Sequence, residues 1–122
     1  MNYIAIALGA VLGALSRHLL FNLIKIDSFP YHTLVVNIIG CFLIGAFAEY
    51  CIIKGNVSFM IKLFFITGFL GSFTTFSSFA LDAGFLTDKG EFFKVFLYIG
   101  SSVLLGFASY FTAVYIVRSL IR

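Results

Sequence analysis

The residues best suited to chemistry in this chain are polar groups set inside long apolar runs. Arg17 lies among leucines in the first run, and Asn37 is flanked by Val35, Val36, Ile38 and Ile39 in the second. The densest stretch is Gly68-Phe69-Leu70-Gly71-Ser72-Phe73-Thr74-Thr75-Phe76-Ser77-Ser78-Phe79, where two glycines and five hydroxyl residues fall within twelve positions. Tyr98, Ser102, Ser109 and Thr112 lie on one stripe at helical period in the last run. These groups suit the handling of an ion better than the making of bonds. His18 and His32 have no carboxylate or cysteine at metal-ligand spacing, and no nucleophile elbow or phosphate loop is present, so the chain does not read as an enzyme.

The elements that must position these groups are membrane spans. Of 122 residues, 61% are hydrophobic and 11% charged, whereas soluble domains carry roughly 25% charged residues. A bilayer core of about 30 Å needs about 20 apolar residues per helix. Four such runs consume the chain, at about residues 3–24, 33–53, 58–86 and 92–117. The fold class expected is therefore an all-α integral membrane protein of four transmembrane helices, residues 1–122 forming a single membrane domain. The first run lacks a basic leading region and has the length of a full span, which reads as a retained helix and not a signal peptide. Cys41 and Cys51, ten apart in one apolar run, read as buried thiols. The net charge of +3 is scattered, which suits anchoring at a lipid bilayer and offers no nucleic-acid patch.

Within the third run, glycines and hydroxyls make poor continuous helix, so a break is expected near residues 71–76. Irregular backbone at membrane depth survives only if buried in protein or lining a cavity, and an unwound turn frees carbonyls for a small hard cation such as Na⁺. Phe76 and Phe79, three apart, share a helical face. Aromatic rings carry a positive edge, which meets an anion without the full charge that would trap it. Packing between helices is the other reading of the pair. Arg17 reads as an anion attractant at a vestibule, as a partner for Asp82 or Glu49, or as a side chain snorkelling to an interface. Asn37 either bonds a neighbouring helix or donates N–H to an anion in transit.

Four spans put both termini on one side, together with Lys54, Lys62, Arg118 and Arg122; Lys25, Lys89 and Lys94 lie opposite. Four basic residues against three give the positive-inside rule nothing to act on; one reading is a single orientation set by weak cues, and the other, favoured for so short a chain, is dual topology with antiparallel pairing. Gly9-Ala-Val-Leu-Gly13 has the small-xxx-small spacing of close helix contacts, a spacing that chance also produces.

Three segments together resemble the Fluc (also called CrcB) family of fluoride channels: Gly13-Ala-Leu-Ser-Arg17, Val36-Asn37-Ile-Ile-Gly40, and the stretch from Gly68 to Phe79 with its core Thr74-Thr75-Phe76-Ser77. The resemblance implies an antiparallel, dual-topology homodimer in the cell (inner or plasma) membrane. It implies passive export of fluoride that entered as HF, which lowers its toxicity. A structural Na⁺ at the dimer centre would be held by the backbone carbonyls of Gly71 and Thr74. The fluoride pathway would comprise Asn37, Phe76, Phe79, Tyr98 and Ser102, and Arg17 would be a vestibule or structural charge. Departures from the family pattern are Ser72 where Gly is usual, Ser78 where Thr is usual and Asp82 where Glu is usual. The rival functions are a small multidrug-resistance-type proton-coupled transporter and a non-transporting membrane assembly subunit. The former is disfavoured because the first run contains no acid.

Overall fold

The computed structural model describes residues 1–121. Helix α1 spans Asn2–Leu23 and α2 spans Tyr31–Lys54. The third span starts as α3 (Phe59–Lys62), widens into a π-helical stretch (Leu63–Leu70) and closes with the short α4 (Gly71–Phe73). Helix α5 follows at Phe76–Asp88, and α6 runs Phe92–Ile121. At about 1.5 Å per residue, the 22 residues of α1 already reach the thickness of a bilayer core. Among the described residues, four helices are long and apolar enough to cross a membrane: α1, α2, the run Phe59–Asp88 and α6. No strand occurs among the described residues.

The helix ends follow from local chemistry. Pro30, whose φ of −76° already suits a helix, immediately precedes the first residue of α2. Gly55 (φ 67°) ends α2, its N–H donating to Cys51 O, and Gly90 (φ 73°) makes the turn between α5 and α6. Both occupy left-handed backbone that a side chain would disfavour. Helix α6 continues to Ile121, a few residues beyond the expected end at about 117, and Arg118 in its last turns bonds to Glu49 of α2. Arg122, expected to close the chain at a membrane surface, lies outside the described residues.

Packing divides the chain into two pairs. Helix α1 lies along the first half of the third span, and α2 lies along α6. The first pair meets through glycine. A Cβ on Gly9 would overlap the carbonyl of Phe64, and one on Gly13 would overlap both Phe69 O and Ser72 Oγ. From the other side, a Cβ on Gly68 would stand 2.6 Å from Ile6 O. The small-xxx-small spacing therefore joins two helices of one chain. Ser72 secures the contact by donating its hydroxyl to Ala10 O at 2.7 Å, across the backbone gap. In the second pair, Gly45 admits the backbone of Tyr110, and Ser109 Oγ donates to Ile38 O at 2.9 Å. Near one membrane face Arg118 grips Glu49 in a two-pronged ion pair, 2.7 Å from Nε and 3.2 Å from Nη2.

Burial is inverted relative to a soluble domain. Phe93, Phe96 and Leu104 face outward, whereas Thr33, Val36, Tyr98 and Ala113 are sealed inside. Lipid is as apolar as a protein core, so helices associate through small residues and internal hydrogen bonds. One apolar cluster, Phe29, Leu34, Leu86 and Tyr98, ties the start of α2 to α5 and α6.

The close approach of α1 makes a specific demand on Gly13. Gly13→Val would push against backbone and the Ser72 hydroxyl together, and overpacking of this kind costs roughly 1–3 kcal/mol. Thermal unfolding of the purified protein in detergent should show a lowered midpoint for Gly13→Val. At Gly84, where a Cβ would meet nothing within 4 Å, Gly84→Val should leave it nearly unchanged.

Candidate functional site

Where α4 ends, the backbone leaves helical geometry. Thr74 (φ −81°, ψ 154°) and Thr75 (φ −149°, ψ 115°) are extended, and α5 starts at Phe76. An extended pair in mid-span loses the hydrogen bonds a helix would supply. Asn37 of α2 replaces them: its Oδ1 accepts from Thr75 N–H at 2.9 Å, and its Nδ2 donates to Thr75 O at 3.2 Å. The side-chain amide thus pairs with the Thr75 backbone as a neighbouring strand would. Thr75 then starts α5, its Oγ1 accepting from Ser78 N–H at 3.1 Å in the manner of an N-cap. The hydroxyls of Ser77 and Ser78 gather on the same oxygen.

Beside this junction lies a cavity of about 430 Å³, open to the outside and mostly apolar. Asn37, Gly71, Thr74, Phe76, Phe79 and Ser102 all line it. Six of the eight residues named from sequence therefore come together. Phe76 is 80% exposed, and its ring lies 5.5 Å from that of Phe79 at an interplanar angle of 44°. Asn37 carries a second amide N–H beyond the one given to Thr75. Ser102 Oγ is buried and has no hydrogen-bond partner among the described residues. No side chain with a full charge lines the cavity.

Tyr98 and Arg17 lie elsewhere. Tyr98 is fully buried behind Phe79, with ring centroids 5.1 Å apart, and its hydroxyl donates to Asp82 at 3.0 Å. Arg17 is half-buried on α1. The expectation that it pairs with Asp82 or Glu49 is corrected: Asp82 accepts from Thr33 and Tyr98, and Glu49 binds Arg118. Those partners approach from α2 and α6, whereas α1 packs mainly along the third span.

For a cation, backbone oxygen is the relevant donor class. No group of three or more His, Cys, Asp or Glu side chains that could hold a metal occurs among the described residues. The amide of Thr75, which in a continuing helix would be directed at Gly71 O, is given to Asn37 instead. Gly71 is exposed and Thr74 half-buried, and both lie on the cavity wall. Neutral carbonyls that are both accessible and relieved of helical bonding suit a hard monovalent cation.

Sequence reasoning missed Thr75 as the residue that both pairs with Asn37 and caps α5. A hydroxyl residue three positions before another, at the end of an irregular stretch, was the available signal. Thr33, 49 residues from its partner Asp82, left no local signal at all.

The family model described as CrcB-like protein, Camphor Resistance (CrcB), matches residues 4–114. A Rhizobium etli protein named fluoride-specific ion channel FluC is 42% identical over 119 residues, covering 95% of each chain. Proteins of the same name from Rhodopseudomonas palustris and Granulibacter bethesdensis are 37% and 38% identical, covering 98% and 100% of this chain and 99% and 98% of their own. With the polar junction of α2 and the third span at its centre and the match running nearly end to end, this chain belongs to the CrcB family.

Proposed function

We propose that this chain forms a fluoride-selective channel that exports cytoplasmic fluoride by passive electrodiffusion. The observation that carries the reading is the neutral cavity at the Thr74–Thr75 junction, with Phe76, Phe79, Asn37 and Ser102 on its walls, in a chain whose relatives are named fluoride-specific ion channels. Fluoride is small and holds water tightly, so a path for it must replace hydration with several modest donors. An amide N–H, a hydroxyl and ring edges are donors of that kind. A lysine in the same place would bind the ion too firmly to release it. The third span acts in this reading as a broken helix, and the extended Thr74 and Thr75 support that role.

The absence of any acid from α1 argues against proton-coupled transport of the small multidrug-resistance kind. A purely structural assembly subunit would give no reason to sustain extended backbone and a cavity in mid-membrane.

The working unit in this proposal is an antiparallel, dual-topology homodimer with Na⁺ at its centre. The near balance of basic residues supports insertion in both orientations. The outward-facing ring of Phe76 supports a partner that completes the path. Gly71 and Thr74 would each contribute a carbonyl to Na⁺; two such oxygens are too few to replace its water, and a second copy would double them. Tyr98 enters the proposed pathway from behind Phe79, and Arg17 serves as a structural or vestibule charge.

Two measurements test this proposal. Liposomes holding the protein and loaded with fluoride should empty when valinomycin and potassium relieve the opposing potential, with little chloride flux. Phe76→Ile and Phe79→Ile roughly keep volume but lose the ring edge, and each should reduce fluoride flux at least about tenfold while the dimer persists. Efflux no greater than from protein-free vesicles would exclude a channel; isoleucine variants that conduct like the parent would reduce the rings to packing.

The second measurement concerns assembly. With Cys41 and Cys51 replaced, single cysteines at Asn56 or Asp88 should each react with an impermeant thiol reagent from both sides of the membrane. Replacing Na⁺ by N-methylglucamine during purification should lower the cross-linked dimer fraction. One-sided labelling at both positions would rule out dual topology, and a dimer indifferent to Na⁺ would remove the proposed ion.

A further inference from the structure

A separate groove of about 350 Å³, almost wholly apolar, opens where α2, the third span and the end of α6 meet. Leu43, Ala46, Phe47 and Tyr50 line it from α2, and Phe65 and Phe69 line it from the π-helical stretch. The rings of Phe47 and Phe65, 5.0 Å apart, join its two sides. Helix α2 gives positions 37, 40, 41 and 44 to the cavity at the Thr74–Thr75 junction and positions 43, 46, 47 and 50 to this groove. At about 100° per residue these two sets lie about 120° apart around the helix. A partner that meets Phe76, on the wall of the junction cavity, therefore approaches from another side and leaves the groove facing lipid. Leu43, Tyr50 and Phe65 are 38–41% exposed along it. From Tyr50 to Leu43 the groove descends about 10 Å, a third of the bilayer core.

The end of the groove nearest the membrane face is basic. Lys54 follows Tyr50 by one turn of α2, Lys62 precedes Phe65 by three positions, and Arg118 adjoins Val117, which also lines the groove. Glu49 takes two of the five N–H donors of Arg118 and so fixes the guanidinium at the mouth, where its side chain stays 53% exposed. Glu49 itself is buried. The other acids of the chain, Asp27, Asp82, Asp88 and Glu91, lie towards the opposite end, where they outnumber Lys25, Lys89 and Lys94. An apolar slot with a basic mouth, at the depth of the lipid headgroups, matches an anionic phospholipid. A zwitterionic lipid brings a cation of its own to the same mouth and gains less. We infer that this groove holds one acyl chain of an anionic phospholipid, with Lys54, Lys62 and Arg118 at its phosphate. The tail fills the wedge between α2 and the third span beneath the Phe47–Phe65 contact. Such a site is independent of the ion the protein carries.

The test is native mass spectrometry of the full-length protein in a neutral detergent, with phosphatidylglycerol and phosphatidylcholine of the same acyl chains added in equal amounts. Phosphatidylglycerol should be retained in preference, by roughly fivefold for each basic side chain engaged. Ala46→Phe puts a ring into the slot and should abolish that retention. The pair Lys54→Gln and Lys62→Gln should remove most of the preference and leave phosphatidylcholine retention unchanged. Both lysines stand at helix ends outside the packed interior, so this pair remains informative if Ala46→Phe fails to fold. Equal retention of the two lipids by the parent would overturn the inference. Parental retention in Ala46→Phe would remove the groove from it, and parental preference in the lysine pair would remove the headgroup contact. If Ala46→Phe dissociates the dimer and spares the lipid, the groove belongs to a second copy and the inference falls. None of these readouts involves ion flux, so a protein that carries no fluoride would defeat the channel reading alone.

Discussion

A peptide unit drawn out of a helix in mid-membrane has no water to bond, and each unmet polar group there costs several kcal/mol. Asn37 meets that demand for Thr75 with one side chain, accepting from its N–H and donating to its carbonyl. The other features of the site hang on this pairing. With the Thr75 amide turned to α2, helix bonding towards Gly71 is interrupted, Thr75 is free to cap α5, and Phe76 and Phe79 start a new helical stripe beside the cavity. A leucine at position 37 would preserve the apolar character of α2 and leave the junction without its partner.

For Asn37 to reach Thr75, α2 and the third span must be held in register by contacts that hydrophobicity does not provide in lipid. Gly40 supplies one, since a Cβ there would overlap the side chain of Thr74, and α1 is fastened to the third span by other glycines. Gly9, Gly13 and Gly68 let α1 and the π-helical stretch touch backbone to backbone, and Ser72 adds a hydrogen bond to Ala10 where the departure from the usual family glycine occurs. That serine therefore sits against α1, and its hydroxyl acts on packing. A π-helical stretch is wider than an α-helix and commonly marks a functional place. Here it leads directly into α4 and the extended threonines.

Much of the architecture was legible because apolar run length is a direct consequence of bilayer thickness. Thr74 and Thr75, whose backbone is extended, lie within the glycine- and hydroxyl-rich stretch between Gly68 and Phe79. What the sequence did not disclose was pairing across spans. Arg17 offered two acids as partners by charge alone, and both are taken by residues of α2 and α6. Glu49 and Arg118 are 69 positions apart, and Thr33 and Asp82 are 49 apart, so no periodicity relates them. Asn37 was ambiguous between structure and transport for the same reason. Its bonds to Thr75 give it a structural role, and it also lines the cavity.

The distribution of charge completes this logic. Among the described residues, ion pairs join Glu49 with Arg118 and Glu91 with Lys94, placed towards opposite ends of the helices. Lys94 also donates to Ser28 O, fastening the link before α2 to the start of α6. Charge is thus spent on fixing helix ends, and the single carboxylate nearest the cavity, Asp82, is committed to two hydroxyls. The cavity wall itself is left with dipoles alone. For an anion that must both enter and leave, that separation matters: a formal positive charge in the passage would deepen the well, and a free carboxylate would raise a barrier. Fixed neutral donors avoid both, provided their directions are held. The pairing of Asn37 with Thr75 fixes one residue of the wall, and the contact of Phe79 with Tyr98 fixes another.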